Sequence, residues 1–285
     1  MQTRRIGSLE VSAVGMGAMP LSVEGYHPEE SQAVATLHAA LDAGVTLVDT
    51  ADAYHPRGQE GHNELLVAKA LATHPRGSEV LVATKGGHVR SADGGWGLNG
   101  RPDHLKRACE ASLTRLGVEA IGLYQFHRPD PEVPYADSVG ALKELLDEGK
   151  IRMAGISNAN PDQIRQAREI LGDGLVSVQN QFSPAFRSSE PELELCTELG
   201  LAFLPWSPLG GVGKAGEVGT AHDRFRRVAE EHGVSPQRVT LAWMLAKSPV
   251  VIPIPGASRP ETIRDSAAAP DLTLTEEQFA LLDQD

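Results

Sequence analysis

From Val14 onward, short runs of mostly apolar residues alternate with longer stretches whose apolar positions recur at helical spacing. The short runs are VSAVGMGAM, VTLVDTA, EVLVATK, IGLYQFH, RMAGISN, LVSVQNQ, LAFLPWS and VVIPI. Helical patterns lie between them at 30–43, 63–73, 102–116, 137–149, 161–171, 189–199, twice within 222–247, and at 260–268. Strands without polar alternation fit a sheet covered on both faces, as a parallel sheet is. About eight strand–helix units in this order predict an α/β chain closed into a single (β/α)8 barrel rather than an open, doubly wound sheet. No linker composition interrupts the series, so residues 1–285 are expected to form one domain. The opening RRIGSLEVSAV reads as a hairpin turning at Gly7-Ser8 and expected to plug the barrel floor. TEEQFALLD reads as an extra C-terminal helix with Thr275 as its N-cap. The glycine- and proline-rich stretches 86–101 and 207–219 exceed ordinary connectors and are candidate site loops.

Composition narrows the partners. With 41% hydrophobic and 22% charged residues, the chain can bury a sizeable core without metal or disulfide staples. The formal charge of -12 would repel nucleic acid and anionic membranes, so any bound phosphate needs a local positive device. No apolar run approaches the roughly 20 residues that span a bilayer, and MQTRRIGSLEV has no apolar signal core, which predicts a cytoplasmic protein. A monomer is expected. Cys109 and Cys196 fall in helical runs and are read as small buried hydrophobes.

In such a barrel the site lies at the carboxyl ends of the strands. Here the strand-like runs end in Asp49, Lys85, His127, Ser157-Asn158, Gln179 and Trp206. Ionisable groups ending several strands converge on one mouth, where burying them without a task is costly. At the last strand, GASRPETIR places Pro260 at the first position of a helix, with Ser258 and Arg259 at its N-terminus, where free N–H groups and the helix dipole favour a phosphate. Three other signals fail. GMGAMP lacks the third glycine and following helix of a dinucleotide fingerprint, and GGVGKAG has Ala215 where a P-loop needs Ser or Thr. Asp52, His55, His62 and Glu64 match no helical metal-ligand spacing, so no metal is expected.

VDTADAY, VATK, YQFHRPD, GISN, VQNQFSP, PWSPLGG and IPIPGASR together resemble, in order and spacing, the aldo-keto reductase superfamily, in its bacterial NADP-dependent form. The resemblance covers nearly the whole chain. It implies a tetrad of Asp49, Tyr54, Lys85 and His127, with NADP(H) across the barrel mouth and a small carbonyl substrate contacting Tyr54, His127 and Trp96. Ser157, Asn158 and Gln179 would bond the nicotinamide carboxamide, Trp206 would stack on the ring, and Ser207, Leu209 and Gly210 would line the pyrophosphate. Gly17, Met19, Asp49, Ile254, Gly256, Ser258, Arg259, Thr262, Asp265 and Ser266 complete the implied cofactor contacts, although Thr262 and Ser266 stand where relatives commonly carry longer amides. The chemistry agrees: carbonyl reduction needs a hydride source no side chain provides, and a proton donor at the oxygen. Tyr54 would give the proton, Lys85 would depress the phenol pKa, Asp49 would hold Lys85 charged, and His127 would orient the carbonyl. Two other readings within the resemblance are an NADPH-binding sensor akin to potassium-channel beta subunits and a sugar dehydrogenase working oxidatively. A barrel hydrolase or aldolase using Lys85 as a Schiff-base amine is a third.

Overall fold

The structure is a computed structural model and describes residues 2–25, 27–91 and 93–284. Strands β1 (Thr3–Ile6) and β2 (Leu9–Ser12) pair antiparallel about a turn at Gly7. Gly7 has φ +56°, and a Cβ there would stand 2.8 Å from a Val176 methyl, so both backbone and space demand glycine. There follow β3 (Met16–Gly17), helix α1 (Glu30–Asp42), β4 (Leu47–Asp49), α2 (His62–Ala72) and β5 (Leu81–Gly86). The stretch 86–101 carries a small hairpin of β6 (His88–Arg90) and β7 (Trp96–Leu98), where the sequence suggested only a loop. The alternation resumes with α3 (Pro102–Leu116), β8 (Ile121–Phe126), α4 (Tyr135–Asp147), β9 (Ile151–Ser157), α5 (Pro161–Leu171), β10 (Leu175–Gln179), α6 (Glu190–Leu199) and β11 (Ala202–Phe203). It ends with α7 (Val218–Ala221), α8 (Asp223–His232), α9 (Pro236–Lys247), α10 (Pro260–Ala267) and α11 (Glu276–Leu282).

Seven strands form one parallel sheet in the order β11-β10-β9-β8-β5-β4-β3. The run VVIPI, expected as the last strand, is instead a seam segment that touches both sheet edges through single bridges, Phe203 to Val251 and Gly17 to Gly256. Proline explains the thin pairing. Ile252 and Ile254 donate to the carbonyls of Phe203 and Pro205, at 2.8 and 3.3 Å, while the carbonyls of Pro253 and Pro255 accept from Gly15 and Gly17, at 2.9 and 3.0 Å. The two prolines have no N–H to return toward β3, so only half the ladder forms. Gly17 faces this seam closely: a Cβ there would meet the Ile254 carbonyl oxygen at 2.8 Å. The barrel is thereby closed as an eight-position ring.

Its interior is filled by Ile6 of the hairpin with Leu47, Leu123, Val176, Leu204, Ile252 and Ile254, so the hairpin plugs the floor as its pattern suggested. The helices cover the outer face of the sheet with a second apolar layer, in which Trp243 stacks on Phe182 at 5.6 Å. Helix α11 opens with a capping box between Thr275 and Gln278, and the Trp243 indole donates to Asp283 at 3.0 Å, which pins the C-terminal segment. Among the described residues no helix is long and apolar enough to cross a membrane. Cys109 and Cys196 are buried in the outer layer, where burial pushes both thiols up to about 12.

Candidate active site

Strands β4 and β5 are neighbours in the parallel ladder; Asp49, the last residue of β4, pairs with Ala83, two residues before Lys85 on β5, and the two side chains of opposite charge meet at the carboxyl end of the sheet. Lys85 has no solvent exposure and Asp49 almost none. The ammonium spends its three protons on Asp49 Oδ2 at 2.5 Å, the Thr50 carbonyl at 2.8 Å and the Tyr54 oxygen at 3.3 Å. The other carboxylate oxygen of Asp49 accepts from Gln179 at 2.8 Å and from Gln125 at 3.2 Å. Tyr54 lies beyond β4 in a tight turn, where its N–H bonds the Ala51 carbonyl and its own carbonyl receives the Asn63 N–H at the start of α2. Because the phenol oxygen accepts from Lys85, its own proton is directed away from the lysine. That leaves the proton for whatever oxygen lies in front of it.

Burial disfavours the Lys85 ammonium, but Asp49 and Tyr54 outweigh it and hold the lysine above its usual range. For Tyr54 the balance falls the other way from expectation. Burial pushes the phenol above its usual range, and the opposing pull of Lys85 does not fully compensate. In the protein alone, Tyr54 is therefore a well-protonated acid whose phenolate Lys85 makes less costly than burial alone would. His127 follows β8, its N–H bonded to the Gly86 carbonyl at 2.9 Å, and its ring meets that of Tyr54 edge-on at 5.6 Å. Burial, with Lys85, His88 and Arg128 nearby, drives its pKa well below the ordinary histidine value. Its Nδ1 is buried without a partner. A bare lone pair costs less there than a buried, unbonded N–H, which favours the tautomer carrying its proton on Nε2.

These groups sit at the inner end of a cavity of about 780 Å3. Its walls include Gly17, Met19, Ser157, Asn158 and Gln179 at strand ends, Trp206, Ser207 and Leu209 after β11, and Ile254 and Gly256 of the seam. Ser258, Arg259, Thr262, Asp265 and Ser266 around α10 form the outer end, and Trp96 of β7 stands on the rim. Asn158 and Ser207 are the non-glycine residues recorded with positive φ, 58° and 51°, and both line this cavity. Such backbone is held against a cost of about 1–3 kcal/mol and tends to collect at sites with a task. The Asn158 amide shows how it is held: it donates to the His127 carbonyl at 3.0 Å and Ser157 Oγ at 2.9 Å, and its oxygen accepts from Arg128 at 3.0 Å.

Residues 13–284 match the family model described as the aldo/keto reductase family. The chain belongs to the aldo/keto reductase family. Among relatives, an uncharacterized oxidoreductase of Schizosaccharomyces pombe is 35% identical over 99% of this chain and 89% of its own. An aldo-keto reductase of Klebsiella pneumoniae, solved in complex with NADPH, superposes with TM-score 0.82 at 28% identity over 99% of this chain and 94% of that one. A glycerol dehydrogenase of Gluconobacter oxydans does so with TM-score 0.85 at 28% identity, with the same coverage.

Within this aldo/keto reductase, several expected positions differ in detail. Gly210 does not line the cavity; Gly211 and Val212 face it instead, because the turn at Gly210, φ +91°, points the position toward Lys214. Asp265 lines the wall, but its carboxylate is engaged by Arg238 at 2.7 Å and by Ser235. Of the discounted metal cluster, Glu64 accepts from Thr84 and Arg115, His62 bonds Ser22, and His55 bonds the Pro56 carbonyl. Sequence reasoning missed His88, Arg128 and Gln237, all in the cavity wall. Arg128 directly follows His127 and His88 comes three residues after Lys85, so a search of strand-end neighbours would have found them. Gln237, on α9, carried no such signal.

Proposed function

We propose that this protein reduces a small aldehyde or ketone to an alcohol with NADPH, Tyr54 donating the proton. The observation that carries the reading is the buried chain Asp49–Lys85–Tyr54, which leaves the phenol proton facing the cavity beside a neutral His127. The Klebsiella pneumoniae relative's complex with NADPH supports the choice of cofactor. So does the wall itself: the Trp206 indole N–H is buried without a partner, and the N-terminus of α10 opens beside Arg259 at the far end.

When bound, NADPH supplies the hydride. Trp206 would offer its indole face to the nicotinamide ring, Ser157, Asn158 and Gln179 would lie on the carboxamide side, and Ser258 and Arg259 would take up phosphate charge. Substrate carbonyl oxygen enters between Tyr54 and His127. His127, neutral and protonated on Nε2, donates to that oxygen and polarises it as negative charge grows. The Tyr54 O–H passes its proton to the oxygen, and the phenolate left behind stays bonded to the Lys85 ammonium. Asp49, with both oxygens engaged, keeps that ammonium charged and in register. Lys85 is a poor candidate for Schiff-base chemistry, since its three protons are committed and its neutral form is disfavoured.

The test is a panel of aldehydes, ketones and quinones followed at the nicotinamide absorbance, in wild type and Tyr54→Phe. Multiple turnovers by wild type and a loss of 10²–10⁴-fold in kcat for the variant, on the order expected for general-acid catalysis, are expected. Single-turnover oxidation of bound NADPH would instead favour the sensor reading, and near-normal turnover by Tyr54→Phe would remove it as the acid.

A further inference from the structure

The end of the cavity nearest Tyr54 and His127 carries positive charge without a matching acid. Arg128 lines this end, half-buried, and its recorded hydrogen bond is from Nη2 to the neutral Asn158 amide oxygen at 3.0 Å. Among the described residues no carboxylate pairs with it, in a chain whose formal charge is -12. Apart from Asp52, which is not part of the cavity wall and lies beside Glu64, the nearby acids are occupied or remote. Asp49 is bound to Lys85, Asp130 caps the N–H groups of Gly100 and Glu132, and Asp93 caps Ser91 and Gly95 on the β6–β7 turn. Glu261 and Asp265 belong to the opposite, α10 end.

The same wall holds a second nitrogen group. His88 packs its ring against His127 at 4.2 Å, edge to face, and against Trp96 at 5.5 Å. Its Nδ1 lies 3.1 Å from the Gly97 carbonyl, so Nδ1 carries the proton, and the ring is fixed on the wall of the cavity by a backbone bond. Behind it Arg90 lies over the Trp96 ring at 4.1 Å, its Nε and Nη1 buried without partners, which adds positive potential to the hairpin. Both histidines feel Arg128 as a charge that opposes their protonation. A guanidinium kept partly out of water with one neutral acceptor is costly unless an anion completes it.

We infer that Arg128, with His88 and Trp96 shaping the pocket around it, is a substrate subsite for a carboxylate, so that the preferred substrates are carbonyl compounds bearing an acid group. One guanidinium with one arm already on Asn158 suits a single planar carboxylate better than a doubly charged phosphate. Arg128 and His127 both line this end, and the Asn158 amide ties them together by accepting from the guanidinium at 3.0 Å and donating to the His127 main-chain carbonyl at 3.0 Å, so the acid lies a short spacer from the carbonyl that His127 holds. This inference rests on the reductase reading for the carbonyl half of the substrate. The anion half can be measured without turnover.

The experiment measures binding of 4-(hydroxymethyl)benzoate and 4-(hydroxymethyl)benzamide to the NADPH complex, in which an alcohol has no hydride acceptor, by calorimetry, beside reduction of 4-carboxybenzaldehyde and its methyl ester. Wild type is expected to bind the acid about tenfold or more tightly than the amide, and the ratio of kcat/KM for acid over ester to be similarly high. In Arg128→Gln both ratios should fall to within about threefold of unity, while Arg128→Lys keeps part of the preference, the charge surviving without the fork. Equal binding of acid and amide by wild type, or a preference that survives Arg128→Gln, overturns the subsite. Selective acid binding with no reduction of either aldehyde would leave the subsite standing and sink the reductase reading instead.

Discussion

At the scale of single residues, Asp49, Lys85 and Tyr54 are held by committed hydrogen bonds, and the proposed mechanism draws on these more than on a depressed phenol pKa. Lys85 has no spare proton, and that is why the Tyr54 proton must point outward. In the proposed mechanism reduction requires Tyr54 protonated, so its rate should fall as pH rises through the phenol pKa. Lys85→Met removes the cation that opposes burial, and the alkaline limb of the kcat/KM profile should move to higher pH as overall activity collapses; a limb that stays in place would dismiss Lys85 from the mechanism. Asp52 offers a stability test close by. The residue retains some surface, yet its carboxyl is buried with Oδ1 unpartnered, and burial beside Glu64 raises its pKa to about 8. The folded state thus holds Asp52 protonated where the unfolded chain, at about 3.9, has lost the proton. The resulting penalty is absent below about pH 4, grows as pH rises and levels off above about 8. Asp52→Asn should stabilise by about 1–3 kcal/mol at pH 8.5, a discounted figure for a partly solvated group, and by clearly less at pH 5 in paired urea titrations. An equal gain at both pH values would show that the carboxyl is not protonated on folding.

At the scale of elements, the seam between β3 and residues 251–256 is where the barrel is thinnest and where the cavity begins. Gly17 and Gly256 bridge the two edges and also line the cavity, so closure of the ring and shape of the cavity depend on the same backbone. Gly17→Ala would press a methyl to 2.8 Å from the Ile254 carbonyl oxygen, which cannot step aside without breaking the Gly17 to Pro255 bond. The variant should lose about 1–3 kcal/mol, as overpacked positions do, and bind NADPH more weakly; unchanged melting and unchanged affinity would show that the seam is slack. The strand pattern of VVIPI was legible in its apolar residues, but its reduction to two bridges was not. Pro253 and Pro255 were in plain sight, yet whether a missing N–H matters depends on which neighbour it faces. The hairpin of β6 and β7 was hidden for a related reason: RSADGGWG reads as a loop until His88, Arg90, Trp96 and Leu98 are seen to pair across it.

At the scale of the whole molecule, one cavity joins Tyr54 and His127 at its inner end to the N-terminus of α10 at its outer end. Arg259 there is largely exposed and loosely paired with Glu261 at 3.4 Å, so it is available to a 2'-phosphate. Arg259→Ala should raise the Kd for NADPH by about tenfold relative to NADH, the loss of one charge-assisted hydrogen bond tempered by exposure, as titration with each cofactor would record. Parallel weakening of both cofactors would mean that the phosphate is read by other groups. The sequence alone determined the class of fold, because uninterrupted apolar runs spaced by helices have few ways to bury both sheet faces, and it determined the strand-end residues Asp49, Lys85, His127, Ser157 and Gln179, because their position is counted along single strands. Only the tertiary structure decided what those residues do to one another. Burial outweighing Lys85 at Tyr54, the committed protons of the ammonium, the loss of Gly210 from the wall, and the entry of His88, Arg128 and Gln237 are all consequences of groups distant in sequence meeting where water is excluded. There, desolvation and direct contact are fixed by distances that no pattern along the chain encodes.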